Sequence, residues 1–500
     1  MRARLVASTR ALRSTNAKII TTPEQSISRV AVSLQHQPLG ASIGRSPHSW
    51  TRTTRASRAH IQQALHFFLF ALFLHMPDGV TPAERHARAG VRARRWSSRK
   101  RKRAAAAAVE FRLVSYNLLA RQYTTQLGRA LYRVGPHRLE WSSRAKTLRC
   151  ELEMLSGDVV CAQEYEEKAW RGNEALLGDE YARAALCERS GEARGEKRAE
   201  KREGCAIFIR RGAFTCETTE KLKFDDYGLG DNAACVVTLR HRARDGFRLV
   251  VANAHLLFNP KRGDAKVGQV RVLLATVARI RQDIVDRGLM AHCVICGDFN
   301  FSPNSALYHF FSNGRLDLSE VNRRELSGTL VDVLDDRNVG DDQVTRIGRS
   351  ETEDTAIRAF NQGWGASQLA LALGDRSTPF PSRTGVELES ASQSATQKRG
   401  TDVEQVKNLM RLTPGGFTVH HAFEAELSSA YVAVAGGEPA FTTCHNKFCG
   451  TNDYIWYTSN LEPTRVLQSP SLDDVLRYGK LPSVRYASDH VSIGADFRIG

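Results

Sequence analysis

The stretch AHCVICGDFN (291–300) runs from apolar residues into Asp298 and Asn300. Cys293, Val294, Ile295 and Cys296 read as a buried strand. Side chains two apart on a strand share a face, so the acid and the amide leave it together. A carboxylate can take a proton from water while an amide holds a phosphoryl oxygen. Taken alone, a strand running into a turn accounts for the stretch equally well, because Gly, Asp, Asn and Pro303 all favour turns. Other apolar segments are finished in the same way. Asn117 follows FRLVSY, Glu164 follows DVVCAQ and His255 follows LVVANA. Asp453 opens DYIWYTS, and Asp489 and His490 precede VSIGADF. Singly, each is a loop cap. Together, in a sandwich of sheets, such ends converge on one pocket.

The elements that would carry these residues begin at Val109. Strands are expected at Glu110–Tyr116, Asp158–Gln163, Cys205–Ile209, Phe247–Ala254, His292–Cys296, Tyr454–Tyr457 and Val491–Phe497. A long amphipathic helix is expected over Gly263–Arg287. There Val267, Val270, Leu274, Val277, Ile280 and Ile284 recur every three or four residues with Lys and Arg between them. Shorter helices are expected at Arg144–Leu155 and Ser305–Ser312. Strands mixed with helices imply an α/β fold of sheet layers covered by helices. Residues 345–415, rich in Ser, Thr, Gly, Gln and charge, read as a long, largely disordered insertion. Residues 188–203 read as a smaller exposed charged loop.

Charge divides the chain. Residues 1–108 hold 20 of the 71 Lys and Arg and 3 of the 54 acids, so the remaining 51 bases and 51 acids balance. The net charge of +17 lies in this extension and is no evidence that the folded part binds nucleic acid. Residues 1–60 suit a mitochondrial or plastid transit segment, a basic tail or an untranslated stretch read through. The run ALHFFLFALFLHM (64–76) is too short to span a bilayer, and a start at Met76 would remove most of it. Arg92–Arg103, with RKRKR, suits nuclear import, an anionic membrane or RNA contact, or a solvated linker. Localisation stays open between an organelle, the cytoplasm and the nucleus. Cys293 and Cys296 resemble half a metal site but fall in an apolar run, where small core residues are the better reading. The ten scattered cysteines imply a reducing compartment and no disulfide framework.

SYN (115–117), QE (163–164), NAHL (253–256), GDFN (297–300), NDYI (452–455) and SDH (488–490), in this order, resemble the endonuclease/exonuclease/phosphatase superfamily. The resemblance covers Val109 to the C-terminus apart from the insertion. HLLFNPKRGDAKVGQ (255–269), GCAIF (204–208), SALYHFF (305–311) and TTCH (442–445) resemble its Angel branch, related to the carbon-catabolite-repression-type deadenylases. Ala162 and Asn452 depart from the family pattern without removing a catalytic group.

The resemblance implies a four-layer α/β/β/α sandwich of two mixed sheets. It implies Mg²⁺, with Mn²⁺ as a substitute, held by Glu164 with Asn117 beside it, and Asp489 for a second ion. Asp298 would orient or deprotonate the attacking water. Asn300 and His255 would hold phosphate oxygens, and His490, oriented by Asp453, would stabilise developing charge. Pro260 and Phe448 stand where the deadenylases sandwich an adenine; a turn and ordinary packing are the plain alternatives. Lys261 and Arg262 could touch an RNA backbone, though a solvated loop is the better default.

The implied activity is on RNA 3′ ends, either 3′→5′ exonucleolytic trimming or removal of a 2′,3′-cyclic phosphate. The same fold acting on abasic DNA, inositol phosphates or sphingomyelin is the alternative enzyme. A non-catalytic RNA-binding module is the alternative from another class.

Overall fold

The computed structural model describes residues 94–98, 109–126, 132, 134, 139–170, 175–190, 202–329, 358–359, 361–373, 417–423 and 425–499. The 1–60 segment, the 64–76 run and most of the 345–415 insertion lie outside the described residues. Among the described residues no helix is long and apolar enough to cross a membrane.

Among the described residues the first strands are β1 (Trp96–Ser98), β2 (Val109–Asn117), β3 (Val159–Tyr165), β4 (Tyr181–Glu188) and β5 (Gly204–Arg210). Next come β6 (Phe214–Lys223), β7 (Ala233–His241), β8 (Phe247–His255) and β9 (Met290–Asp298). Short strands follow: β10 (Arg315–Asp317), β11 (Thr418–His420), β12 (Leu427–Ser429), β13 (Thr443–Cys444) and β14 (Cys449–Gly450). The last are β15 (Asp453–Thr458), β16 (Leu461–Leu467) and β17 (Ile493–Ile499).

Of the two large sheets, one has the order β1-β16-β17-β2-β3-β5-β4 and the other β12-β15-β9-β8-β7-β6; β10-β11 and β13-β14 form two-stranded ribbons. Each contains a single parallel pair, β2 with β3 and β8 with β9; the other neighbours are antiparallel. A parallel pair needs a crossover. Here α1 (Trp141–Leu155) and α2 (Gly263–Asp286) lie within the two crossovers.

The side-chain alternation of the strands makes four layers. Leu113, Cys161 and Ile207 of the first sheet meet Val237, Val251, Val294 and Ile455 of the second between the sheets. Their out-of-phase neighbours Val114, Val160 and Phe208 pack under Leu148, Leu152 and Leu155 of α1. On the far side Val250, Ala252 and Ile295 pack under Val267, Val270 and Leu274 of α2. This is the mixed α/β sandwich that the sequence implied.

The differences have local causes. β16 contains Pro463, which argues against a strand, and the β16–β17 register shifts between Pro463 and Arg465. β6 is polar along most of its length because its middle faces water. Part of the expected insertion is folded. The helix α3 (Ala366–Leu373) packs on α2 with Leu369 and Ala372 buried, and Trp364 Nε1 donates to the Val321 carbonyl at 2.9 Å. The charged loop is also not wholly exposed: Glu203 is buried and pairs with Arg189 at 3.2 Å. Part of the basic linker is structural as well. Arg94, just before β1, reaches Glu151 at 3.5 Å and Ser492 Oγ at 2.8 Å.

A disulfide joins Cys444 and Cys449, correcting the expectation of none. The two residues face each other in the β13–β14 hairpin, a relation the spacing alone does not reveal.

Candidate active site

The strand registers set the site. In the second sheet His255 pairs with Asp298 and Asp298 with Asp453, so β8, β9 and β15 present these side chains in one row. In the first sheet Asn117 pairs with Gln163, one residue before Glu164. The two sheets are joined just below by Gln163 Nε2, which donates to Asn253 Oδ1 at 2.7 Å, and by Asn253 Nδ2, which donates to the Ala162 carbonyl at 2.9 Å. The site therefore stands on a buried polar tie between layers that are otherwise apolar.

Local backbone strain aims the side chains. Glu164 and Asn300 have φ values of 54° and 52°, in the left-handed region that non-glycine residues avoid. Such a conformation costs ~1–3 kcal/mol and persists where the surroundings over-determine it. The β3–β5 register shifts between Ala162 and Tyr165, which re-aims Glu164. Gly297 precedes Asp298 at φ 138°, and any Cβ there would collide with the Ala254 carbonyl oxygen.

A cavity of about 560 Å³ opens over this row. Glu164, His255, Pro260, Asp298, Asn300, Phe448, Asp489 and His490 line it. Asn117 and Asp453 lie directly behind the lining. Asn117 Nδ2 donates to Glu164 Oε1 and to Asp298 Oδ2, both at 3.0 Å, while its Oδ1 accepts from Leu119 N–H at 3.0 Å. In this orientation the amide bridges the two acids; offering its oxygen to a cation would require the amide to turn over. His490 Nδ1 lies 2.8 Å from Asp453 Oδ2, which also accepts from Thr442 Oγ1 at 2.6 Å. Asp298 Oδ2 is 3.6 Å from both His255 Nε2 and His490 Nε2. All ten residues expected from the sequence thus meet at one end of the sandwich.

Their electrostatics differ. Burial, with Glu203 and Asp489 nearby, pushes the Glu164 carboxyl up to about 8. Among the described residues no basic side chain pairs with it; its support is the Asn117 amide and Ala120 N–H at 2.7 Å. Burial also pushes Asp298 up, to about 7, against the pull of His490. For His490, burial works downward, but Asp453 and Asp298 outweigh it and hold the imidazole well above its usual range. His255 goes the other way, depressed by burial, Arg189 and His490, and is neutral.

A buried glutamate without a cationic partner, beside Asp489, offers hard oxygen donors that suit a divalent cation. Asp298, Asp453 and His490 also place one donor atom each within 4.8 Å of one another. There, however, the imidazole is already bound to Asp453 and held protonated, so this group fits a proton-and-charge relay better than a metal cage.

Several site residues escaped sequence reading. Tyr132 donates to Asp489 Oδ2 at 2.8 Å. Arg189, Tyr123, His445, Lys447 and Phe258 line the cavity. Lys266, read as part of the polar face of α2, is fully buried; its Nζ donates to the Asn300 carbonyl at 2.6 Å and to Ser327 Oγ at 2.8 Å. Arg144 holds the carbonyls of Leu118, Leu119 and Ala487, each at 2.6 Å, and so fixes the turn that brings Ala120 N–H to Glu164. Arg262 does not enter the cavity lining: it is bound to Asp264.

The chain is similar to several known proteins. Residues 114–490 match the family described as Endonuclease/Exonuclease/phosphatase family. Carbon catabolite repressor protein 4 homolog 5 of Arabidopsis thaliana is 32% identical over 404 residues, covering 77% of this chain and 76% of that one. Protein angel homolog 2 of Homo sapiens is 25% identical over 413 residues, covering 78% and 69%. A crystal structure of Angel2, described as a 2′,3′-cyclic phosphatase, is 25% identical with a TM-score of 0.57, covering 82% of this chain and 99% of that one.

Proposed function

Because the chain belongs to the endonuclease/exonuclease/phosphatase family, we propose that it is a Mg²⁺-dependent phosphoesterase that removes 2′,3′-cyclic phosphates from RNA 3′ ends. The observation that carries the reading is the single cavity in which an unpaired buried carboxylate, Glu164, faces a second carboxylate, Asp298, set between two imidazoles. The Angel2 likeness points to the cyclic phosphate.

Glu164 and Asp489 would hold the cation. When bound, a divalent ion neutralises charge on a phosphoryl oxygen. Asp298, poised near neutrality, would accept the proton of the attacking water as the water oxygen bonds to phosphorus. One P–O bond to the ribose breaks and that ribose oxygen takes a proton from solvent. A second hydrolysis, of the resulting monoester, releases phosphate. His490 stays protonated through Asp453 and donates to the phosphoryl oxygen where negative charge grows. Asn300 Nδ2 donates to the Leu256 carbonyl at 3.0 Å, which anchors the amide in the cavity wall that His255 also lines. Mn²⁺, with the same preference for oxygen donors, would substitute.

A second reading, stepwise 3′→5′ trimming of an A-tail, is favoured by one observation. Pro260 and Phe448 both line the cavity, and both are half-buried, as a base clamp would require. Two end-labelled RNAs separate the readings, one ending in a 2′,3′-cyclic phosphate and one in an A-tail, each given to the full chain with Mg²⁺ and to Glu164→Ala. Loss of the cyclic phosphate at constant length supports the first reading; a ladder of shortened tails supports the second. Glu164-independent turnover of both, or turnover of neither, would contradict the metal-dependent assignment to RNA ends.

A further inference from the structure

The rim of the cavity carries an exposed apolar side chain that the chemistry does not use. Phe258 is 68% exposed, more than any other large apolar side chain among the described residues, and it is the only aromatic in that exposed set. It lines the same cavity as Asp298 and His490. Its loop, between β8 and α2, is not free to fold the ring inward. Leu257 N–H donates to Gln269 Oε1 at 2.9 Å, Lys261 N–H to Asn259 Oδ1 at 3.0 Å, and Arg323 Nη1 to the Lys261 carbonyl at 2.8 Å. An aromatic ring kept in water by a pinned loop, at the mouth of a polar cavity, is an unfilled apolar surface.

Pro260 and Phe448 are each less exposed than Phe258, so they belong to a deeper part of the wall. A nucleotide whose phosphate lies at Asp298 would place its base there, and the chain leading away must pass the rim. Lys447, exposed and also in the lining, supplies positive charge along that exit. Every nucleobase has a π-face, so a single phenyl ring can receive one without reading its identity.

We propose that Phe258 is the stacking platform for the penultimate base of the RNA, one nucleotide upstream of the end being processed. This rests on the reading that the substrate is an RNA 3′ end. It makes the protein an enzyme of polynucleotide ends in preference to free nucleotides, with no sequence preference at the penultimate position.

The test compares the full-length wild type, Phe258→Ala and Phe258→Trp on two substrates: a short RNA ending in a 2′,3′-cyclic phosphate, and adenosine 2′,3′-cyclic phosphate. The wild type should favour the RNA. Phe258→Ala should raise KM for the RNA roughly 5- to 100-fold, the range of one base–aromatic stack, and collapse the RNA-to-mononucleotide ratio of kcat/KM. Phe258→Trp should retain the ratio. An unchanged ratio in Phe258→Ala, whether both substrates suffer equally or neither does, would overturn the proposal and point to a fold contact or a protein partner at that ring. A wild type inactive on both substrates would instead overturn the cyclic-phosphate reading, and this inference with it.

Discussion

In the first sheet, the parallel pair β2 and β3 ends on Asn117 and Glu164; in the second, the parallel pair β8 and β9 ends on His255 and Asp298. Each pair is closed by a helical crossover, and each delivers one carboxylate to the same cavity. The surroundings differ. Glu164 has an amide and a backbone N–H but no base, and its carboxyl is pushed up to about 8. Asp298 stands 3.6 Å from two imidazoles and is pushed up to about 7. On the proposed function, these strand ends would suit one acid to a metal ion and the other to a proton. Both acids are buried, so the difference lies mainly in the charges beside them.

The sharpest way to break this division is Glu164→Gln. It keeps the shape and removes the charge that would hold the cation. Losing the several kcal/mol that a metal ion contributes at a phosphoryl group lowers kcat/KM on RNA ends by on the order of 10³-fold or more. A single-turnover assay with excess enzyme measures it. Asp298→Asn should cost roughly 10²–10⁴-fold in kcat, the usual worth of a general base, and should flatten the acidic limb of the pH–rate profile. Retention of that limb in Asp298→Asn would assign it to another group.

A smaller effect is expected from Lys266, which holds the Asn300 carbonyl from beneath. Lys266→Met should lower kcat roughly 10–100-fold, as supporting residues around catalytic groups do, and leave the Mg²⁺ requirement in place. Lys266→Arg should not rescue fully, because the buried site accommodates a compact ammonium and not a planar fork. A shift confined to melting temperature would reduce Lys266 to a packing role.

The mildest test is the pH dependence of stability without metal. Glu164 and Asp298 have folded pKa values raised above their unfolded values, so the folded state keeps protons that the unfolded chain releases. Their contribution is fully present below about pH 4 and is lost as pH rises through about 7 and about 8. Melting temperature without metal should therefore fall between pH 5 and pH 9, and Mg²⁺ should raise it more at pH 8 than at pH 6. Glu164→Gln should blunt the fall near pH 8. A fall of the same size in that variant would place the titration elsewhere.

Much of this was legible in the sequence, for a physical reason. Buried strands are apolar along their length, so a carboxylate, amide or imidazole at one end stands out, and Asn117, Glu164, His255, Asp298 and Asp453 all announce themselves. What escaped depends on the third dimension. Lys266 sits among the cationic residues of an amphipathic helix and looks solvated, yet its ammonium reaches the Asn300 turn. Arg189 and Glu203 flank a charge-rich stretch that reads as exposed, yet they pair beside the cavity. Cys444 and Cys449 look like two more scattered cysteines until the hairpin sets them opposite each other and turns His445, Lys447 and Phe448 into the cavity.

The division of labour between the two carboxylates is tested most directly by calorimetric titration of Mg²⁺ into the full-length wild type, Glu164→Gln and Asp298→Asn at pH 8. The account predicts heat and saturation for the wild type and Asp298→Asn, and neither for Glu164→Gln. Binding that survives in Glu164→Gln, or disappears in Asp298→Asn, would contradict it.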